Sequence, residues 1–337
     1  MDKNKKILVV GAGGFIGGHL VRKFVENGNK VVASDIKPKE YWFQDFDIVE
    51  NHYAMDMKEI SNCRKVAKDI DYVFNMACNM GGMGFIENNK AECMQSVLIN
   101  TNLLIACKEN QVKRYFFSSS ACAYNKSKQQ DVFIEGLKEE DAYPADPEDG
   151  YGWEKLFSER MCRHFMEDYG IEVRVARYHN IYGPYGTYDG GREKAPAALC
   201  RKVNQAKINK DKKIEVWGDG KQTRTFLYID DCVEGTLRLF ESDYSEPVNI
   251  GSDEQVSINE MLEIIEGISG IDKLEREYLL DKPKGVRGRS SNNDLVKKVL
   301  NWSYNIKLKE GLKKTYDWIS SEMSKEESSN ISRFTKS

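Results

Sequence analysis

Gly11-Ala12-Gly13-Gly14-Phe15-Ile16-Gly17 decides the fold. The heptapeptide follows Lys6-Ile7-Leu8-Val9-Val10, an apolar run that fits a buried strand, and it opens a helical pattern over 14–26. In that strand–turn–helix setting, Gly11 and Gly14 allow a tight turn whose backbone amides can approach a pyrophosphate. Gly17 lets helix and strand pack closely, and the helix N-terminus faces the anion. The spacing is GxxGxxG, not the commoner GxGxxG. Further on, Asp35 ends the second apolar run, where a carboxylate accepts ribose hydroxyls and repels a 2′-phosphate. NAD is therefore expected, not NADP. Asp56, after a third extended run, is assigned to the adenine. The expected cofactor set is Gly11, Gly14, Phe15, Ile16, Gly17, Asp35, Asp56 and Ala77, joined by Tyr151 and Lys155.

Outward from this turn, β-rich runs at 6–10, 30–34, 72–76, 114–118 and 173–176 alternate with helical patterns at 14–26, 90–108 and 151–169. This is the grammar of an α/β fold with a doubly wound parallel sheet of Rossmann type. Beyond Gly183 the regularity gives way to a Gly-, Pro- and aromatic-rich stretch at 183–196, then mixed short elements and two late helices at 258–267 and 309–320. The expected organisation is an NAD-binding domain over 1–183, to which 225–255 returns, and a smaller mixed α/β substrate lobe from 184–224 and 256–323. The polar, aperiodic segment 324–337 is expected to be a flexible tail.

Composition narrows the function classes. The 337 residues include 50 basic and 53 acidic side chains, so nothing global favours nucleic acid or a membrane surface. An anionic substrate must meet local positive charge. No segment approaches the roughly 20 apolar residues of a membrane span, and the polar stretch 1–6 leaves no room for a signal peptide before the first strand. The eight cysteines are scattered without a CxxC pair, against a disulfide framework or a zinc site. The expected setting is a reducing cytoplasm, with no metal.

Tyr151-Gly-Trp-Glu-Lys155 puts a phenol and an ammonium one helical turn apart on one face. A phenol with pKa near 10 is a poor base at neutral pH, but a neighbouring cation together with a charged nicotinamide ring favours its phenolate. Upstream, Phe116-Phe117-Ser118-Ser119-Ser120 delivers hydroxyls at a strand C-terminus, the edge where doubly wound sheets bind ligands.

GAGGFIG, SSSACAY and YGWEK in this order resemble the extended short-chain dehydrogenase/reductase superfamily of nucleotide-sugar epimerases and dehydratases, essentially end to end. The resemblance implies that Ser120 assists Tyr151, with Cys122 in the slot that varies with the chemistry. Sugar dehydratases carry an Asp-Glu pair where this chain has Ala121 and Cys122, so loss of water is disfavoured. Met80-Gly-Gly-Met-Gly-Phe85, His179-Asn-Ile-Tyr-Gly-Pro184, Gly190 to Ala197, Trp217 to Arg224 and Gly285-Val-Arg-Gly-Arg289 narrow the resemblance to the GDP-mannose 3,5-epimerases.

That narrower resemblance implies that Cys122 and Lys194 form an acid/base pair, while Ser120, Tyr151 and Lys155 handle the hydride step. Oxidation at C4 leaves a ketone that acidifies the protons at C3 and C5, and returning the hydride ends the cycle. Inversion needs a base on one face and an acid on the other. A thiol and a partly buried amine suit that exchange only beside such a ketone. Arg224, Arg287 and Arg289 are expected at the diphosphate, with either Arg287 or Arg289 as the closer, and Asn180 matches the family's diphosphate-contacting Asn. Gly81, Gly82 and Met83 are expected against the sugar. The implied partners are a GDP-sugar substrate and a second copy of the chain. Other readings remain: a 4-epimerase, a decarboxylating synthase or a GDP-heptose epimerase with the same hydride machinery, and a non-catalytic NAD-sensing protein.

Overall fold

The computed structural model describes residues 2–43 and 50–326. Its centre is a seven-stranded parallel sheet of β1 (Lys6–Val10), β2 (Lys30–Ser34), β3 (Glu50–His52), β4 (Tyr72–Asn75), β5 (Arg114–Ser120), β6 (Glu172–Tyr178) and β7 (Val248–Ile250). The strand order is β7-β6-β5-β4-β1-β2-β3, all parallel. Ile7, Leu8, Val9 and Val10 are all buried, because helices cover both faces of such a sheet. Strand order reverses between β1 and β4, so the carboxyl ends of these two strands open the crevice where a ligand is expected.

The sequence-based boundaries shift where pairing or packing extends an element. β5 runs to Ser120 because it stays in register with β6 as far as Tyr178. The single helix expected over 90–108 is bent at Gln95, where the Leu98 amide bonds back three residues, and becomes Lys90–Met94 and Ser96–Glu109. The helix bearing Tyr151 spans Asp149–Tyr169, and left-handed Gly170 ends it by donating to the Met166 carbonyl. The late helices reach Ile258–Ser269 and Leu308–Glu326. Ser324 to Glu326 thus continue a helix where a flexible tail was expected, and 327–337 lie outside the described residues.

Beside the sheet stand the helix Ala195–Asn209, the parallel pair Lys213–Trp217 with Glu275–Leu279, and a three-stranded sheet of Gln255–Ser257, Thr223–Thr225 and Gly288–Arg289. One buried apolar cluster runs from Ile7 and Val9 through Cys232 and Phe240 to Ile265 and Leu312. These late elements therefore share a core with the sheet and roof its carboxyl edge. Among the described residues, no helix is long and apolar enough to cross a membrane.

Candidate active site

The turn after β1 is shaped by what it cannot hold. Gly11 has φ +83°, and a Cβ there would lie 2.8 Å from both the Ala77 nitrogen and the Met76 carbonyl carbon. A Cβ on Gly17 would run into the Gly11 carbonyl oxygen. Gly14 caps the helix α1 (Phe15–Glu26), so Phe15 and Ile16 form its first turn, half-buried at the crevice. Asp35 lies buried at the end of β2, where Oδ2 accepts the Gly13 amide (2.9 Å) and Oδ1 the Lys37 amide (2.8 Å). Burial pushes its carboxyl up against these contacts. Each oxygen keeps a lone pair for a hydroxyl donor. The Met55 amide binds the Asp35 carbonyl, which brings Asp56 alongside; the Asp56 carboxylate accepts the Lys58 amide at 2.8 Å.

The helix α2 (Asp149–Tyr169) carries Tyr151 and Lys155, both buried, with the Lys155 ammonium 5.5 Å from the Tyr151 ring centroid and 4.9 Å from that of Phe117. Burial pushes the Tyr151 phenol well above its ordinary value, and the neighbouring Cys78 and Cys122 sulfurs push the same way. The Lys155 cation alone does not deliver a phenolate. Lys155 itself is held up by Cys78 and Glu154 in spite of burial. Its Nζ stands 3.4 Å from Glu154 Oε2 yet has no hydrogen-bond partner. A buried ammonium that makes no hydrogen bond to its Glu154 neighbour fits a dinucleotide whose ribose hydroxyls supply further acceptors.

Ser120 ends β5, and its Oγ accepts the Cys122 amide at 3.2 Å, shaping a short turn over Ala121–Ala123 that aims the thiol inward. The Ser120 hydroxyl also favours the Tyr151 phenolate, against the burial that opposes it. Cys122 is 8% exposed, and Arg289 Nη1 lies 3.4 Å from its sulfur. Lys194 is the residue before helix Ala195–Asn209. Burial pulls its amine below the ordinary value, while the charges of Cys122, Cys78 and Cys232 pull it back up. Ser120 and Cys122 come from the end of β5 and the turn after it, Tyr151 and Lys155 from α2, and Lys194 from the segment before helix Ala195–Asn209.

The glycines at 81 and 82 let the loop after β4 press on the segment that presents Lys194. A Cβ on Gly81 would lie 3.2 Å from the Arg192 Cα, and the Gly82 amide donates to the Arg192 carbonyl at 3.0 Å. Met83 meets the other wall, since a Cβ on Gly285 would lie 2.9 Å from its Cε. Asn180 adopts φ +47° and donates to the Thr225 carbonyl at 3.0 Å.

The arginines divide. Arg289 is buried, donating to Gln129 Oε1 (2.7 Å) and Glu148 Oε2 (2.6 Å) as well as facing Cys122. Arg224 is buried beside it, bonded to the carbonyls of Thr223, Lys284 and Val286, and burial lowers it to about 10. Arg287 instead gives both Nη groups to Asp219 at 2.8 Å, on a partly exposed pair away from the thiol. Sequence reasoning missed Cys78, Gln129 and Glu148. Glu148 stands at the capping position of α2, three residues before Tyr151, and that closeness in sequence was the available signal.

Comparison with known proteins gives the family. Residues 7–251 match the NAD dependent epimerase/dehydratase family. The chain is 49% identical to GDP-mannose 3,5-epimerase of Arabidopsis thaliana over 96% of this chain and 85% of that protein. It is 50% identical to GDP-mannose 3,5-epimerase 1 of Oryza sativa subsp. japonica over 97% of this chain and 84% of that one. Among solved structures, UDP-glucuronic acid 4-epimerase from Bacillus cereus, in complex with UDP-glucuronic acid and NAD, superposes with a TM-score of 0.79 at 27% identity, covering 94% of this chain and 99% of that one. UDP-glucose 4-epimerase from Thermotoga maritima gives a TM-score of 0.82 at 25% identity, with 94% and 99% covered. Together with the Gly-rich turn, the buried Tyr151/Lys155 pair and the acceptor-poor ammonium, these matches place the chain in the NAD dependent epimerase/dehydratase family, as an NAD-dependent epimerase of the branch that holds the plant GDP-mannose 3,5-epimerases.

Proposed function

We propose that the chain inverts C3, C5 or both in GDP-mannose or a close GDP-sugar. The observation that carries the reading is the turn after β5 that holds Ser120 and the buried Cys122 against the helix of Tyr151, with the charge of Cys122 felt at Lys194. NAD, when bound, takes a hydride from the sugar and later returns it. Tyr151 takes the C4 hydroxyl proton, helped by Ser120, and Lys155 orients the cofactor's ribose while its charge steadies the phenolate. Once C4 is a ketone, Cys122 and Lys194 work on opposite faces of the ring at the acidified carbons. Arg224 and Arg289 supply the local cations that an overall charge of −3 does not, and Asn180 joins them at the diphosphate. Arg287, paired with Asp219 on a partly exposed site, stands further out as the alternative.

The test is incubation with GDP-mannose in D2O. Solvent deuterium at C3 or C5 is expected from the parent protein. Cys122→Ala should still give transient NADH absorbance but little deuterium in inverted product, and Lys194→Ala should lose proton transfer on the other face. Exchange at the parent rate in Cys122→Ala would reduce Cys122 to packing.

The same reading places the elements beyond 184 over the sugar as a substrate lobe. It also places a second copy of the chain on the exposed apolar face of Met94, Leu98, Trp153 and Phe157. Eight free cysteines suit a reducing cytoplasm.

A further inference from the structure

The N-terminal residue of α2 does not behave as a cap. Glu148 occupies the capping position, yet its carboxylate bonds no amide of the first turn. It turns instead toward Arg289, whose Nη2 donates to Oε2 at 2.6 Å while its Nη1 lies 3.4 Å from the Cys122 sulfur. The two segments are also locked through their backbones, because the Glu148 amide donates to the Cys122 carbonyl at 3.2 Å. A Cβ on Gly152 would strike that same carbonyl. Glu148 and Cys122 therefore cannot drift apart without moving the helix that carries Tyr151.

We propose that Glu148 is a positioning residue for Cys122: clamped by Arg289, its carboxylate accepts from the thiol, keeps it protonated at rest and aims it at the sugar as the proton donor. The proposal rests on the acid/base reading of Cys122 given above. In the step this implies, the Lys194 amine takes the proton from the acidified carbon on one face. The enolate electron pair then forms the new C–H bond with the thiol proton on the other face. The thiolate left behind is held by Arg289, and solvent restores both groups.

The charges around Cys122 bear this out from each side. Glu148 reaches it from α2 and Arg289 from the strand Gly288–Arg289; Tyr151 faces it from α2 and Lys194 from the start of its helix, while Arg224 faces Glu148. Burial and Glu148 both push the thiol up, against Arg289. Glu148 stays ionised because Arg289 and Arg224 outweigh its burial. An anion joined to a thiol through one shared guanidinium opposes a second negative charge on it.

The pH dependence of iodoacetamide alkylation, followed on the Cys122 peptide by mass spectrometry, tests the contact apart from turnover. In the parent protein the midpoint should lie above about 8.5, the value of an ordinary thiol. In Glu148→Gln it should fall by about one pH unit or more, so that thiolate at a given pH rises about tenfold. In Arg289→Met it should rise. The alkaline limb of the kcat profile in Glu148→Gln should move down with the thiol. A parent midpoint at or below the ordinary value, or an unchanged midpoint in Glu148→Gln, overturns the proposal. If the midpoint shifts as expected while Cys122→Ala still exchanges deuterium at the parent rate, the contact stands and the catalytic reading of Cys122 fails.

Discussion

At Tyr151 the structure sharpens what the sequence implies. The phenol is buried and its proton is held tightly, so it becomes a base only when a cofactor adds positive charge beside Lys155. Tyr151→Phe should lower turnover by several orders of magnitude while NAD stays bound, as measured by kcat and by cofactor fluorescence. Retention of more than about a tenth of the activity would exclude the role. Asp35 sets the cofactor: Asp35→Ala should weaken the preference for NAD over NADP in equilibrium binding, and tighter NADP binding by the parent protein would overturn the assignment. Residues such as these were legible because short motifs fix their chemistry. The sorting of Arg287 from Arg289 was not, since two residues apart in sequence one meets Asp219 and the other meets Glu148. Nothing in the local pattern encodes which way each side chain leaves its strand.

Elements show the same division. The β1 turn was readable because glycine spacing there is dictated by backbone contact. Gly17→Ala should destabilise the fold by about 1–3 kcal/mol, the range for overpacking, and weaken NAD binding in the same preparation. A denaturation midpoint and NAD affinity both equal to the parent's would refute it. Helix α1 also carries a pH dependence through His19, whose Nε2 contacts the Pro184 carbonyl at 3.0 Å. Burial lowers this histidine from 6.5 to about 4. The unfolded chain therefore binds the proton first, and stability should fall as pH drops from about 6.5 to 4, by on the order of 3 kcal/mol. His19→Gln should flatten that window in thermal melts. The bend at Gln95 and the roof of short strands were not legible, because tertiary pairing set them and no periodicity marks them.

For the whole molecule, helices 90–94 and α2 meet so closely that a Cβ on Gly150 would lie 2.5 Å from the Lys90 carbonyl. That contact leaves Met94, Trp153 and Phe157 facing outward together. If the proposed second copy sits on this face, the parent should sediment as a dimer and a double Trp153→Glu, Phe157→Glu variant as a monomer. Equal sedimentation of the two would remove the second copy from this face.

The loosely held ammonium of Lys155 reaches beyond the chemistry of one turnover. Protein without its dinucleotide leaves this buried charge to a Glu154 carboxylate at 3.4 Å with no hydrogen bond made, and binding that adds acceptors stabilises the fold. The dinucleotide is then a component of the folded state as much as a reagent. Freshly made chains would compete for the cellular NAD pool before they became durable, and those that failed would be the first taken by proteases. Enzyme abundance would track the nucleotide supply, so a cell short of NAD would lose the protein itself as well as its activity.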